Sequence, residues 1–279
     1  MEESHDNPPE TDASPTPDVL GYLPSLPEFS KASPAVVLFH DKIRRELDDV
    51  DGFEEFCWFA REYPRCYRFH FDGAEFRLRS LYDLLRKLRS DLARQISGPD
   101  GDTFEVGLSD IRVAQVYWDF ESFLSEVSIA LDLLARVVGP AFHKESPPSF
   151  NRLCKWSDSH PLLDLFRRAQ KRWVSRLKDY RDCFTHYTPV DTMLMVVLRR
   201  YPDRWELRAK LPTNPNVREI LGFRFSRRVE LLRYALRVYA DLVAFDAAVA
   251  RTLSRLYGKK SYPVRKDRLF FVGRRERAS

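Results

Sequence analysis

The chain has 279 residues, 44% hydrophobic and 13% aromatic, with 46 Lys and Arg against 41 Asp and Glu for a net charge of +5. Such a composition supports a substantial core, and its basic excess favours a polyanionic partner. No apolar run approaches the ~20 residues that span a bilayer, and the acidic, proline-rich start lacks the basic and apolar regions of a signal peptide, so the protein is expected in the cytoplasm, away from membranes.

Residues 1–30 carry seven acids, six prolines and no Lys or Arg. A segment so poor in apolar surface cannot offset its ordering entropy, and 1–32 reads as a disordered acidic tail. A helical block follows over 33–97. Pro34 can open a helix to Leu47, Gly52–Glu62 can form a second, and Phe76, Leu81, Leu84, Leu85, Leu88, Leu92 and Ile96 have the spacing of a third. Between these, Cys66–Phe71 and Ala74–Leu78 flank Asp72-Gly73, a dipeptide that predicts a hairpin. Arg77, Arg86, Lys87, Arg89 and Arg94 fall off the apolar stripe and read as a solvated face. Gly98-Pro99-Asp100-Gly101-Asp102 is the clearest internal break.

A helical bundle is expected over 109–257. Ser109 or Asp110 caps a helix to about Val138, with Val113, Val116, Phe120, Leu124, Val127, Leu131 and Leu134 in steps of three and four. A second long helix begins near Asp158 or Ser159, carries Leu162, Phe166, Ala169, Trp173, Leu177, Tyr180 and Phe184 on one stripe, and ends after Tyr187 before Pro189. Residues 193–200 and 205–211 are β-prone and predict an inserted hairpin about Tyr201–Arg204. A last helix runs from about Ser226 to Tyr257 on Val229, Leu232, Leu236, Tyr239, Val243, Ala250, Leu253 and Leu256. The tail 258–279 holds eight bases against two acids. The fold class expected is mainly α, an antiparallel helical bundle with an inserted β-hairpin and an N-terminal helical block.

The chemistry concentrates in Tyr180-Arg181-Asp182-Cys183-Phe184-Thr185-His186-Tyr187. It sets a permanent cation beside an imidazole able to take a proton near neutral pH, which is the equipment for cutting RNA without a metal or cofactor. The spacing is short enough to arise by chance, and Arg65-x4-His70 is a second match, in a stretch read as strand and turn. Arg181 and His186 lie off the stripe, about 140° apart on an α-helix, and would flank a groove. Asp182, four residues before His186, could orient its imidazole. The competing reading is that both cations simply cap a helix C-terminus.

Phosphate loops, nucleophile elbows, His-Glu-x-x-His and di-iron motifs are absent, and the scattered cysteines Cys57, Cys66, Cys154 and Cys183 suggest reduced, mostly buried thiols. His143 and His160 read as surface residues.

The helix Phe120–Arg136, followed by Arg-Asp-x3-His at a helix end, resembles the HEPN superfamily of all-helical proteins over about 109–257. The resemblance implies a metal-independent endoribonuclease of the Arg-x4-6-His type, a toxin or phage-defence effector acting on RNA. In it Arg181 and His186 are catalytic and Asp182 is the polar second motif residue. It further implies a homodimer that assembles a composite cleft, and an antitoxin or other regulatory partner. Asp132 would add negative charge near the paired motifs, and Lys259, Lys260, Arg265 and Lys266 of the tail would hold RNA. One departure concerns the tyrosine that such toxins carry two residues after the motif histidine: here Tyr187 follows directly and Thr188 takes that place. The alternative is a non-catalytic RNA-binding or assembly protein built on the same bundle.

Overall fold

The computed structural model describes residues 23–33, 36, 53–95, 104–108, 111–142, 147–187, 196–201, 204–219 and 222–257. Of the helix expected from Pro34 to Leu47 only Val36 is described, helical and buried; the Gly98–Asp102 break, His143 and the basic tail with Lys259, Lys260, Arg265 and Lys266 lie outside the described residues.

A single helix, α1, runs from Phe53 to Gln95 and replaces the second helix, the hairpin and the third helix of the sequence reading. Its buried residues Tyr67, Phe71, Ala74, Leu78, Leu81, Leu85, Leu88 and Leu92 alternate steps of four and three. That seam extends over seven turns and overrides a two-residue turn signal. Asp72 instead pairs along the helix with Arg68 at 3.8 Å. Gly73 serves a close approach, since an added Cβ would come within 2.8 Å of Glu126 Oε2. Phe76, expected on the stripe, is exposed, and Arg89, expected in solvent, is buried because it shares the face of Leu85 and Leu92.

The remaining helices are α2 (Ile111–Val138), a 3-10 turn at Gly139–Phe142, α3 (Phe150–Cys154), α4 (Pro161–Ala169), α5 (Ser175–Asp182) and α6 (Leu231–Tyr257). Two π-helical turns, Gln170–Val174 and Cys183–Tyr187, make 161–187 one unbroken helical run. The stripes expected on α2 and on this run are buried at every position, Val113 to Leu134 and Leu162 to Phe184. His160, not Asp158 or Ser159, is the N-cap of α4: its Nδ1 accepts the Leu162 N–H at 3.3 Å. Burial lowers the affinity of His160 for a proton, with Asp158 and Asp164 opposing.

The chain divides into two compact units that interleave in sequence. One unit gathers the stretch up to Phe29, Gly73–Glu126 and Ser175–Ala240. It contains a four-stranded antiparallel sheet in the order β1 (Phe104–Leu108), β2 (Val196–Tyr201), β3 (Arg204–Pro212), β4 (Phe225–Glu230). The expected hairpin is the β2–β3 pair, with Leu198 opposite Leu207 and Val196 opposite Ala209 on the buried face. Strand β1 went unforeseen, and β4 occupies what was expected to be the first turn of the last helix. The helix begins late because the Glu230 carboxylate accepts the N–H groups of Leu232 at 3.0 Å and Arg233 at 2.8 Å, supplying the first orphan donors. Burial raises the Glu230 carboxyl above its ordinary range, with those N–H bonds opposing. Val229 therefore belongs to a strand, and the buried face of α6 includes Ala235, Val238, Leu242, Phe245 and Val249, in place of Leu236 and Val243.

The other unit comprises Ser30–Asp72, Val127–Val174 and the chain from Asp241 onward. Phe150, Phe166, Trp173 and Phe245 form its aromatic core, with centroids 5.0 to 6.4 Å apart. Asp246 lies within this unit, 4% exposed. Its carboxylate accepts the Tyr67 hydroxyl at 2.6 Å and the Ser33 N–H at 2.9 Å. The last ten residues of the expected acidic tail are accordingly not all loose. Ala32 is buried, and in the first unit the Phe29 ring packs on Tyr239 at 5.5 Å under the Arg79 guanidinium.

Among the described residues no helix is long and apolar enough to cross a membrane. The fold is mainly helical with one small antiparallel sheet.

Burial holds the Asp246 carboxyl above its ordinary range, against the two hydrogen bonds. The folded protein thus keeps this proton at a pH where the unfolded chain has lost it. Stability from this group rises as pH falls through the interval between the two values. Tyr67→Phe removes a donor from the ionised form and should lower unfolding free energy by about 1–3 kcal/mol at pH 7, and by less at pH 4. Urea denaturation at both pH values measures this; an unchanged midpoint at pH 7 contradicts it.

Candidate active site

Tyr180 completes the buried stripe of α5, and its phenol must find a partner. Its hydroxyl donates to the Pro212 carbonyl at 2.7 Å, and Arg176 donates both to that hydroxyl at 3.3 Å and to the Thr213 carbonyl at 2.6 Å. Burial raises the Tyr180 phenol above its ordinary range, with Arg176 opposing. Tyr117 of α2 makes the matching bond to the Lys210 carbonyl at 2.8 Å. The motif helix and α2 are both tied to the end of β3.

With Tyr180 turned inward, the next residue is turned out. Arg181 is half-buried, and its Nε and Nη2 both donate to Asp182 Oδ1, at 3.0 and 2.6 Å. The partner shown for Asp182 is therefore the neighbouring Arg181, where the sequence had offered it to His186. The pair carries no net charge and keeps the guanidinium in one orientation. His186 is exposed, and Cys183 beneath it is fully buried.

The backbone between these side chains is not α-helical. Cys183–Tyr187 is a π turn, closed by i→i+5 hydrogen bonds. In that geometry residues five apart complete roughly one turn, whereas in an α-helix they are offset by about 140°. A π turn between them widens the helix and reduces that ideal offset. Phe184, inside the turn, packs against Tyr117 at 5.8 Å and Phe120 at 5.6 Å, which anchors the widened backbone.

Two neighbours were missed by the sequence reading. Glu121 of α2 accepts the Thr185 hydroxyl at 3.2 Å, one residue from His186. Trp118, 46% exposed, lies one turn before Glu121 on the same face of α2. Both fall off the apolar stripe of α2, and an exposed tryptophan off a stripe is the signal that could have found it.

Asp132 belongs to the second unit, where its Oδ1 accepts the Phe150 N–H at 2.8 Å at the start of α3. Arg65 and His70 both stand on α1, so the strand-and-turn context that set them apart from Arg181 and His186 is wrong. What separates the two matches is environment: the Arg65 side chain is 82% exposed beside Glu62 on a regular helix, against 32% for Arg181. Among the cysteines, Cys183 is buried while Cys66 and Cys154 are half-buried. Among the described residues no group of three or more His, Cys, Asp or Glu could hold a metal ion.

Comparison with protein-family models, with curated proteins and with solved structures finds no match.

The chemistry open to the site is thus read from its own groups. A half-buried guanidinium held by a carboxylate can receive a phosphate, because the charge-assisted donors are already aimed. An exposed imidazole one π turn away can exchange a proton with a bound ligand. The exposed indole of Trp118, on the Glu121 face of α2, offers a flat apolar area suited to a base.

Proposed function

We propose that the protein is a metal-independent endoribonuclease of the HEPN type, with Arg181 and His186 as its catalytic pair. The observation that carries this reading is the π turn Cys183–Tyr187, which follows the Arg181–Asp182 pair and contains His186, five residues after Arg181. π turns inside helices occur often at functional sites.

In the proposed reaction the RNA 2′-oxygen attacks the adjacent phosphorus and the bond from phosphorus to the 5′-oxygen breaks. His186 takes the 2′-hydroxyl proton as general base, and Arg181 stabilises the charge that develops on the phosphorane oxygens. The departing 5′-oxygen receives a proton from an imidazolium or from water. The products carry a 2′,3′-cyclic phosphate and a 5′-hydroxyl. Asp182 acts as a positioning residue for Arg181, and Trp118 stacks a base beside the scissile phosphate. The biological setting implied is that of a toxin or defence effector restrained by a regulatory partner.

Purified protein incubated with total RNA in EDTA should cleave it and leave cyclic phosphate ends. Arg181→Ala and His186→Ala should each lower the rate by at least about a hundredfold, in the range found for general bases and charge-stabilising donors. His70→Ala should have no effect. Retention of full activity in both motif variants would falsify the assignment, and salt-dependent RNA binding without any cleavage would make the protein a binding module instead.

The active form in this reading is a homodimer, because one motif supplies one base and one cation, and a two-fold axis doubles both. Light scattering at micromolar concentration should give twice the chain mass of 32.8 kDa. A monomer that is fully active places the whole reaction within one chain and contradicts the composite cleft.

A further inference from the structure

In the second unit, α4 and the C-terminal half of α6 enclose an open cavity of about 510 Å³. Three arginines line it, Arg168 from α4 and Arg251 and Arg255 from α6, with Asp164 as the one acid of the lining. Asp164 faces Arg167 at 3.8 Å. Among the described residues, none of the three arginines has a carboxylate or hydrogen-bond partner.

This sets them apart from the arginines beside them on the same helical run. Arg167 donates to the carbonyls of Cys154, Trp156 and Asp158, and Arg172 donates to Asp241 at 3.1 Å. Arg251 and Arg255 stand at i and i+4, an arrangement in which like charges repel and destabilise a helix. Arg168 adds a third positive charge from across the groove. A cluster of this kind is favourable when an anion of comparable charge sits within it.

We propose that this groove binds a compact polyphosphate, a ligand with adjacent phosphate groups and three or more negative charges. The planar donor fork of arginine matches phosphate oxygens in pairs, so three such forks suit two or three phosphates. The volume lies in the range of sites for nucleotide-sized ligands. Leu165 and Ala248 give the lining an apolar part against which an organic moiety can rest. A compact ligand suits the bounded volume of the groove, and the neighbouring Arg167 and Arg172 are committed to protein partners. The groove uses no residue of the Arg181 and His186 site, and its occupancy does not depend on RNA cleavage.

Isothermal titration calorimetry of the full chain with inorganic tripolyphosphate, at about 150 mM salt, tests the proposal. Saturable binding at one ligand per chain is expected, weakened about tenfold or more by Arg168→Ala and by Arg251→Ala. Arg237→Ala, an exposed arginine elsewhere on α6, should leave it unchanged. Tighter binding of a nucleoside triphosphate than of tripolyphosphate identifies an organic ligand, and equal affinity identifies the phosphate chain as sufficient. The proposal is overturned by an absence of saturable binding below millimolar concentration, or by equal weakening in Arg237→Ala. It is also overturned if single-stranded RNA binds through Arg251 while tripolyphosphate fails to compete.

Discussion

The buried hydroxyl of Tyr180 decides where the candidate site stands. A phenol with no access to solvent has to spend its donor inside the protein, and here it does so on the carbonyl of Pro212 at the end of β3. That bond fixes the rotation of α5 about its own axis. With Tyr180 turned inward, Arg181 must point away from the core, and the end of β3 at Thr213 is held against the same helix by Arg176. The hairpin that follows it in the chain is therefore part of the support of the motif helix.

The second constraint is the widening of the helix after Asp182. Phe184 continues the buried stripe four residues after Tyr180, and the aromatic cluster of Tyr117, Phe120 and Phe184 fixes that position. The π turn Cys183–Tyr187 holds both this anchor and His186. Negative charge accompanies both groups, through Asp182 on Arg181 and through Glu121 on Thr185. A phosphate entering here would compete with Asp182 for the guanidinium, so the ion pair keeps the cation oriented and also sets a threshold for binding.

Much of this was legible in the sequence where the period was long. The stripes from Val113 to Leu134 and from Leu162 to Phe184 predicted two helices whose every named position is buried. The hairpin signal at Tyr201–Arg204 was equally direct. Failure came where a local signal was weighed above a long one. Asp72-Gly73 suggested a turn, yet Tyr67, Phe71, Ala74, Leu78 and Leu81 continue the seam of α1 on both sides of it, and Gly73 is there to admit Glu126. Strand β1 depends on a pairing partner distant in sequence, β4 pairs with the strand just before it, and Glu230 could not be recognised as the residue that starts α6 until its carboxylate was seen on two backbone N–H groups. At the site the motif letters were visible, but the partner of Asp182 and the contribution of Glu121 are properties of packing. The successive steps of four from Ala169 through Trp173 to Leu177 hinted at the first π turn; nothing as plain marked the second.

The central claim is that Arg181 and His186 act together on one phosphate of an RNA strand. Nuclear magnetic resonance of isotope-labelled protein, titrated with a short oligonucleotide whose 2′-hydroxyls are replaced by hydrogen to prevent cleavage, tests it most directly. The account predicts that the His186 imidazole and the Arg181 side-chain resonances shift together and saturate at the same ligand concentration. Saturable binding that perturbs other residues and leaves these two resonances unmoved would contradict it.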